Sequence, residues 1–140
     1  MNAYKDVLHT YKNGNYLVKI FKDGSKVRFT LDDYYNPSFP ESIDIKITNY
    51  CDNNCPMCHE KSSVNGKHGN LDALFLKTLT KGTELAIGGG NPFAHPDLEK
   101  FLLNMKKQGV ICNITINQNH FIKYKDNIIK LIEIIFILMI

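Results

Sequence analysis

The chain reads as an α/β protein, with a parallel sheet of about three strand–helix units preceded by an N-terminal antiparallel β-hairpin. Three observations predict this architecture. From residue 42 onward, short β-rich runs alternate with helically spaced apolar residues, an order that demands a parallel sheet with right-handed crossovers. Before residue 40, two β-rich runs flank a tight turn instead. The 140 residues are 44% hydrophobic and 22% charged, which is enough for one core without disulfide staples.

Taken in order, the runs 16–21 and 26–30 are rich in β-branched and aromatic residues and enclose Lys22-Asp23-Gly24-Ser25, a strong turn signal. The tyrosines at 4, 11, 16, 34 and 35 read as packing for this element. Residues 32–40, with Pro37, Pro40 and several Asp and Asn residues, end the hairpin and act as a linker. The chain therefore divides into an accessory element, residues 1–40, and a core, residues 41–140. In the core, Ile43, Ile45 and Ile47 alternate with Asp44, Lys46 and Thr48, the period of a half-buried strand, which runs straight into a loop at Cys51. Leu71, Leu74, Phe75 and Leu79 predict a helix over 71–79. Leu85-Ala86-Ile87 forms a second strand that enters Gly88-Gly89-Gly90. A helix follows over 96–108, with Pro96 at its start, Asp97 and Glu99 in the first turn and Gly109 as the stop. Residues 110–117 form a third strand, and a third helix runs from Ile122 to about Glu133.

The formal net charge of +3 is small and the lysines are scattered, so neither nucleic acid nor an anionic membrane surface is expected as a partner. The apolar run 128–140 contains Lys130 and Glu133 and falls short of the roughly 18 to 20 residues of a membrane span. It reads as a buried helix or strand. No secretory signal pattern opens the chain, which predicts a cytoplasmic protein with reduced thiols.

Of the four cysteines, Cys112 stands alone in an apolar segment and reads as a small buried hydrophobe. The other three form Cys51-Asp52-Asn53-Asn54-Cys55-Pro56-Met57-Cys58-His59, a CxxxCxxC loop at the end of a strand. Three thiolates on one tight loop can face a single metal centre and leave one coordination position open. Structural zinc would need a fourth ligand, which His59 or His68 could supply. Cys55-Pro56-Met57-Cys58-His59 also fits the CxxCH pattern of covalent haem attachment, which belongs to exported proteins. Fortuitous cysteines that hold no metal are a third reading, against which stands their clustering in eight residues at a strand's end, and an iron–sulfur cluster held by three cysteines is the fourth.

CxxxCxxC after the first strand of an α/β core, with a glycine-rich turn after the second strand, resembles the radical S-adenosylmethionine superfamily. The resemblance spans about residues 43–119. It implies a partial (β/α) TIM-type barrel in which Cys51, Cys55 and Cys58 hold a [4Fe-4S] cluster whose open iron binds S-adenosylmethionine. Reductive cleavage of that cofactor then yields a 5′-deoxyadenosyl radical. Gly88-Gly89-Gly90-Asn91-Pro92 is similar to the family's Gly-Gly-Glu-Pro turn, which receives the methionine amino group. Gly89 and Gly90 match its glycines, and Asn91 stands where the family usually has glutamate. Thr115-Ile116-Asn117-Gln118-Asn119 looks like the family's Thr-Asn-Gly segment, with Gln118 in place of glycine. Asn117 thereby joins the cofactor-binding residues, and Met57 matches a position that packs near the adenine.

The resemblance further implies an electron donor such as flavodoxin or ferredoxin. The family's barrel has more strand–helix units than this chain accommodates, so the expectation is a truncated core or one completed by a second chain. An apolar tail without a partner predicts self-association. The alternative reading is a non-catalytic iron–sulfur or zinc module. His59, His68 and His95 read as surface or loop residues without a catalytic role.

Overall fold

The computed structural model describes residues 6–132 and 135–139. Strands β1 (Val7–Asn13), β2 (Tyr16–Phe21) and β3 (Lys26–Phe29) form an antiparallel sheet in that order. The expected hairpin is β2–β3. Its turn is held by Asp23, whose Oδ1 accepts from the Ser25 amide at 2.9 Å and its hydroxyl at 2.6 Å. Strand β1 extends the hairpin into a three-stranded sheet, and Tyr4 lies outside the described residues.

The second sheet is parallel: β4 (Ser42–Thr48), β5 (Glu84–Gly89), β6 (Ile111–Ile116) and β7 (Ile135–Met139) lie side by side in sequence order. The described strands form an open sheet rather than a closed barrel. Helices occupy the crossovers: α1 (Leu74–Lys77), α2 (Leu98–Gln108), α3 (Gln118–Lys123) and α4 (Lys125–Leu131), with a short 3-10 turn over Pro92–Ala94. The helix expected over 71–79 contracts to a single turn, because only Leu76 on α1 is buried while Leu74 and Phe75 face solvent. The helix expected from Ile122 begins earlier and divides at Tyr124. Its start is set by Asn117, whose side chain caps α3 by accepting from the His120 amide at 2.9 Å.

The apolar tail also differs from expectation. Residues 135–139 pair with β6 from Cys112↔Ile135 to Ile116↔Met139. The tail thus has a partner within the chain on one side, while β7 stands at the edge of the described sheet. Glu133, Ile134 and Ile140 lie outside the described residues.

Period-two alternation sends Leu85, Ile87, Cys112, Ile114 and Ile116 to one face of the sheet, where they pack with Phe101 and Leu102 of α2 and Ile128 and Leu131 of α4. The opposite face carries Asp44 and Lys46 on β4, Ala86 and Gly88 on β5 and Thr115 on β6, around an open cavity of about 420 Å³. Parallel sheets are ordinarily covered by apolar packing on both faces. Here one face is covered and the other is polar and open.

The antiparallel sheet has its own small core of Tyr16, Val18 and Ile20, joined by Tyr11 and by Ile111 at the start of β6. It docks at the N-terminal ends of the parallel strands through Glu41. The Tyr16 hydroxyl donates to Glu41 Oε1 at 2.6 Å, Arg28 donates to the carboxylate at 2.8 and 2.9 Å, and Lys26 bridges Glu41 at 3.4 Å and Glu84 at 2.5 Å. Desolvation alone would raise the Glu41 carboxyl, but the hydrogen bonds from Arg28 and Tyr16 outweigh it and bring it down to about 2. Burial and the Glu41 contact push Tyr16 up to about 12. No described helix is long and apolar enough to cross a membrane.

Candidate functional site

The C-terminal ends of β4, β5 and β6 meet at one edge of the sheet, where ligands bind in parallel α/β folds. Strand β4 delivers the cysteine loop. Thr48 Oγ1 accepts from the Tyr50 amide at 2.9 Å, and the Cys51 amide donates to Ser63 O at 2.9 Å. The far end of the loop returns to the sheet through the Lys46–Glu60 ion pair. All three thiols are free: Cys51 is buried, Cys58 half-buried and Cys55 exposed, with Asn53 Nδ2 donating to Cys55 Sγ at 3.0 Å. They open on a groove of about 380 Å³ whose other wall is Gly88-Gly89-Gly90 and Thr115-Ile116-Asn117.

The glycines in that wall differ in what they are for. Gly89 has φ +119°, and a β-carbon there would meet Thr48 O at 2.3 Å; one on Gly90 would meet Tyr50 O at 2.2 Å. The outgoing β4 backbone passes too close for any side chain, and it is tied there by bonds from the Gly90 amide to Thr48 O at 2.9 Å and from the Asn91 amide to Tyr50 O at 2.7 Å. Gly88 is under no such pressure, since the nearest atom to its β-carbon position is Ile45 O at 4.0 Å. Its missing side chain widens the groove.

Of the residues singled out in the sequence, Cys51, Cys55, Met57, Cys58, Gly89, Gly90 and Asn117 share this groove. Met57 is 93% exposed at its rim. Asn91 is placed differently: it is fully buried behind the turn, and its Nδ2 donates to Asp52 Oδ1 at 3.2 Å and to the Tyr124 hydroxyl at 3.4 Å. Its Oδ1 is buried without a partner. Cys112 lies on the packed face of the sheet, where burial pushes its thiol up to about 12 and keeps it protonated. His59 is exposed, whereas His95, read from the sequence as a surface or loop residue, is buried. Its Nδ1 accepts from the Asp97 amide at 3.1 Å, so Nε2 carries the proton donated to Gly69 O at 2.9 Å.

Four residues at the site carry no local signal in the sequence: Asp52, His120, Lys123 and Tyr124. His120 Nε2 lies 2.8 Å from Asp52 Oδ1, and Lys123 Nζ forms an ion pair with Asp52 Oδ2. The Lys123 ammonium, together with the Asn91 and His120 bonds, holds the Asp52 carboxyl well below the usual carboxylate range. Among the described residues, the group of metal-ligating type with ligand atoms within 4.8 Å of one another is Cys51, Asp52 and His120. The Asp52–His120 hydrogen bond accounts for that proximity, and Lys123 already supplies the cation.

No protein family, curated protein or solved structure matches the chain.

Proposed function

We propose that the chain holds a [4Fe-4S] cluster through Cys51, Cys55 and Cys58 and binds S-adenosylmethionine in the adjoining groove, as a radical S-adenosylmethionine protein or part of one. The observation that carries the reading is that three free thiols, the ends of three consecutive parallel strands and the opening at Gly88 share one groove. The residues present fit such a group: the thiols lie on one short loop, and the room beside them is left by a glycine that protein packing does not require. When bound, the cluster supplies the electron that cleaves the sulfonium of S-adenosylmethionine. The chain's own residues anchor and shape the site. Cys51 is the buried anchor, Cys55 and Cys58 close the loop from the solvent side, and Met57 offers an exposed thioether to the adenine base. The exposed edge at Cys55 suits delivery of electrons by a small redox protein such as a flavodoxin or ferredoxin. The sequential order β4-β5-β6-β7, with no reversal, supports the first part of a partial (β/α) barrel over a doubly wound sheet.

One observation favours a second reading, a non-catalytic iron–sulfur or zinc module. Asn91, at the position expected to receive the methionine ammonium, is turned to Asp52 and Tyr124 instead. The two readings separate on cofactor binding by the reconstituted protein. Wild type should bind S-adenosylmethionine and release 5′-deoxyadenosine under strong reductant. Gly88→Val should bind it at least about tenfold more weakly with the fold retained, since the β-carbon position at Gly88 is open and the added methyl groups fill the groove. An intact cluster with no binding at all would leave the metal-binding module.

A further inference from the structure

We propose that Asp52 is a positioning residue: it fastens Cys51 to the two neighbouring strand ends and thereby sets the geometry of the cysteine loop. It sits directly after Cys51, and its carboxylate gathers donors from both other strands at the site. Asn91, which follows β5, is 39 residues away in sequence; His120 and Lys123, on the helix that follows β6, are 68 and 71 residues away. A carboxylate offers about four acceptor positions. Here Asn91 Nδ2 and His120 Nε2 meet at Oδ1 and Lys123 Nζ pairs with Oδ2, so both oxygens are engaged by protein groups. The carboxylate is therefore committed to protein partners and leaves metal binding to the thiols. Asn53, the next residue, repeats the connection: its Oδ1 accepts from Asn119 Nδ2 at 2.8 Å while its own Nδ2 reaches Cys55 Sγ.

The consequence falls on Cys51. It is 8% exposed, against the exposed Cys55 and the half-buried Cys58, and its place depends on the residue that follows it. In Asp52→Asn the side chain keeps its shape but sets an amide donor against donors, so the loop opens locally while the sheets stay packed. Lys123, 54% exposed, is solvated without its partner, so Lys123→Met in the Asp52→Asn background removes the conflict and restores the loop in part.

The test uses the full chain and has two arms. In the apo-protein, the rate at which a thiol reagent modifies Cys51, followed by peptide mass mapping, should rise about tenfold or more in Asp52→Asn, as expected when a local opening loses charge-assisted hydrogen bonds. It should fall back in the double variant, with far-UV circular dichroism unchanged throughout. An unchanged Cys51 rate in a folded Asp52→Asn protein overturns the proposal. If Asp52→Asn does not fold, Lys123→Met alone decides: a several-fold faster Cys51 supports the role, and an unchanged rate overturns it. In the reconstituted protein, which rests on the proposed function, Asp52→Asn should shift the electron paramagnetic resonance signature of the reduced cluster at matched iron content, and an unshifted signature counts against the role. Failure of wild type to take up iron, with a faster Cys51 in the apo variant, would sink the proposed function and leave Asp52 in its role.

Discussion

The two ends of the parallel sheet are each organised by one carboxylate, and they are built to opposite purposes. At the N-terminal end, Glu41 is enclosed by Tyr16, Arg28 and Lys26, and the antiparallel sheet closes over it. At the C-terminal end, Asp52 is held as firmly by His120, Lys123 and Asn91, but the space beside it is an open groove lined by thiols and glycine. Similar electrostatics serve closure at one end and positioning at the other. The difference lies in what each carboxylate fastens: Glu41 joins one sheet to another, whereas Asp52 joins a loop to its neighbours. Perturbing the first should therefore cost stability, and perturbing the second should cost geometry.

The largest expected effect on stability is at the closed end. Glu41→Ala leaves the buried Tyr16 hydroxyl and the Arg28 guanidinium without their acceptor, while Lys26 keeps Glu84, and should destabilise the fold by about 3 kcal/mol in a denaturant titration. It should leave cysteine reactivity in the groove unchanged under folding conditions. Next comes the glycine contrast at the open end. Gly89→Ala forces a β-carbon onto Thr48 O at positive φ and should cost about 2 kcal/mol or more, whereas Gly88→Val should cost under about 1 kcal/mol. Equal losses at the two positions would mean that the turn does not approach β4 as described.

The same carboxylate, Glu41, carries a pH dependence. Glu41 titrates at about 2 in the fold against an ordinary 4.5, so its contribution is complete above about pH 4.5 and is lost as pH falls toward about 2. Asp52, also lowered, acts in the same direction. Denaturant midpoints measured from neutral to acid pH should fall through this window in wild type and fall less in Glu41→Gln.

The open end was largely legible in the sequence and its wiring was not. Period-two patterning over residues 43–48, a glycine run after Leu85-Ala86-Ile87 and a polar close to the third strand place Cys51, Gly89 and Asn117 at one sheet edge, because consecutive parallel strands bring their C-terminal ends together. The Asp52 contacts span 68 and 71 residues and leave no periodic trace. For the same reason a glutamate at position 91 looks favourable for an ammonium in the sequence. In the fold it would set a second carboxylate against Asp52, where the Asn91 amide now donates. In the accessory sheet, β1 carries little sequence signal because its outward positions, Leu8, Thr10 and Lys12, are exposed and mixed in character. The helix over 71–79 is shorter than its spacing suggests because helical spacing of leucines does not by itself supply a surface to bury them.

The proposed ligand set at the open end is Cys51, Cys55 and Cys58 together. Anaerobic reconstitution with iron and sulfide, followed by iron counting and visible absorbance, tests it most directly. Wild type should become brown and carry about four irons, with visible absorbance that bleaches on reduction. Alanine at Cys51, Cys55 or Cys58 should abolish the colour, and Cys112→Ala should retain it, since that thiol is buried on the far face of the sheet. A wild-type protein that holds one tightly bound zinc and refuses iron, or a cluster lost with Cys112, would contradict the account.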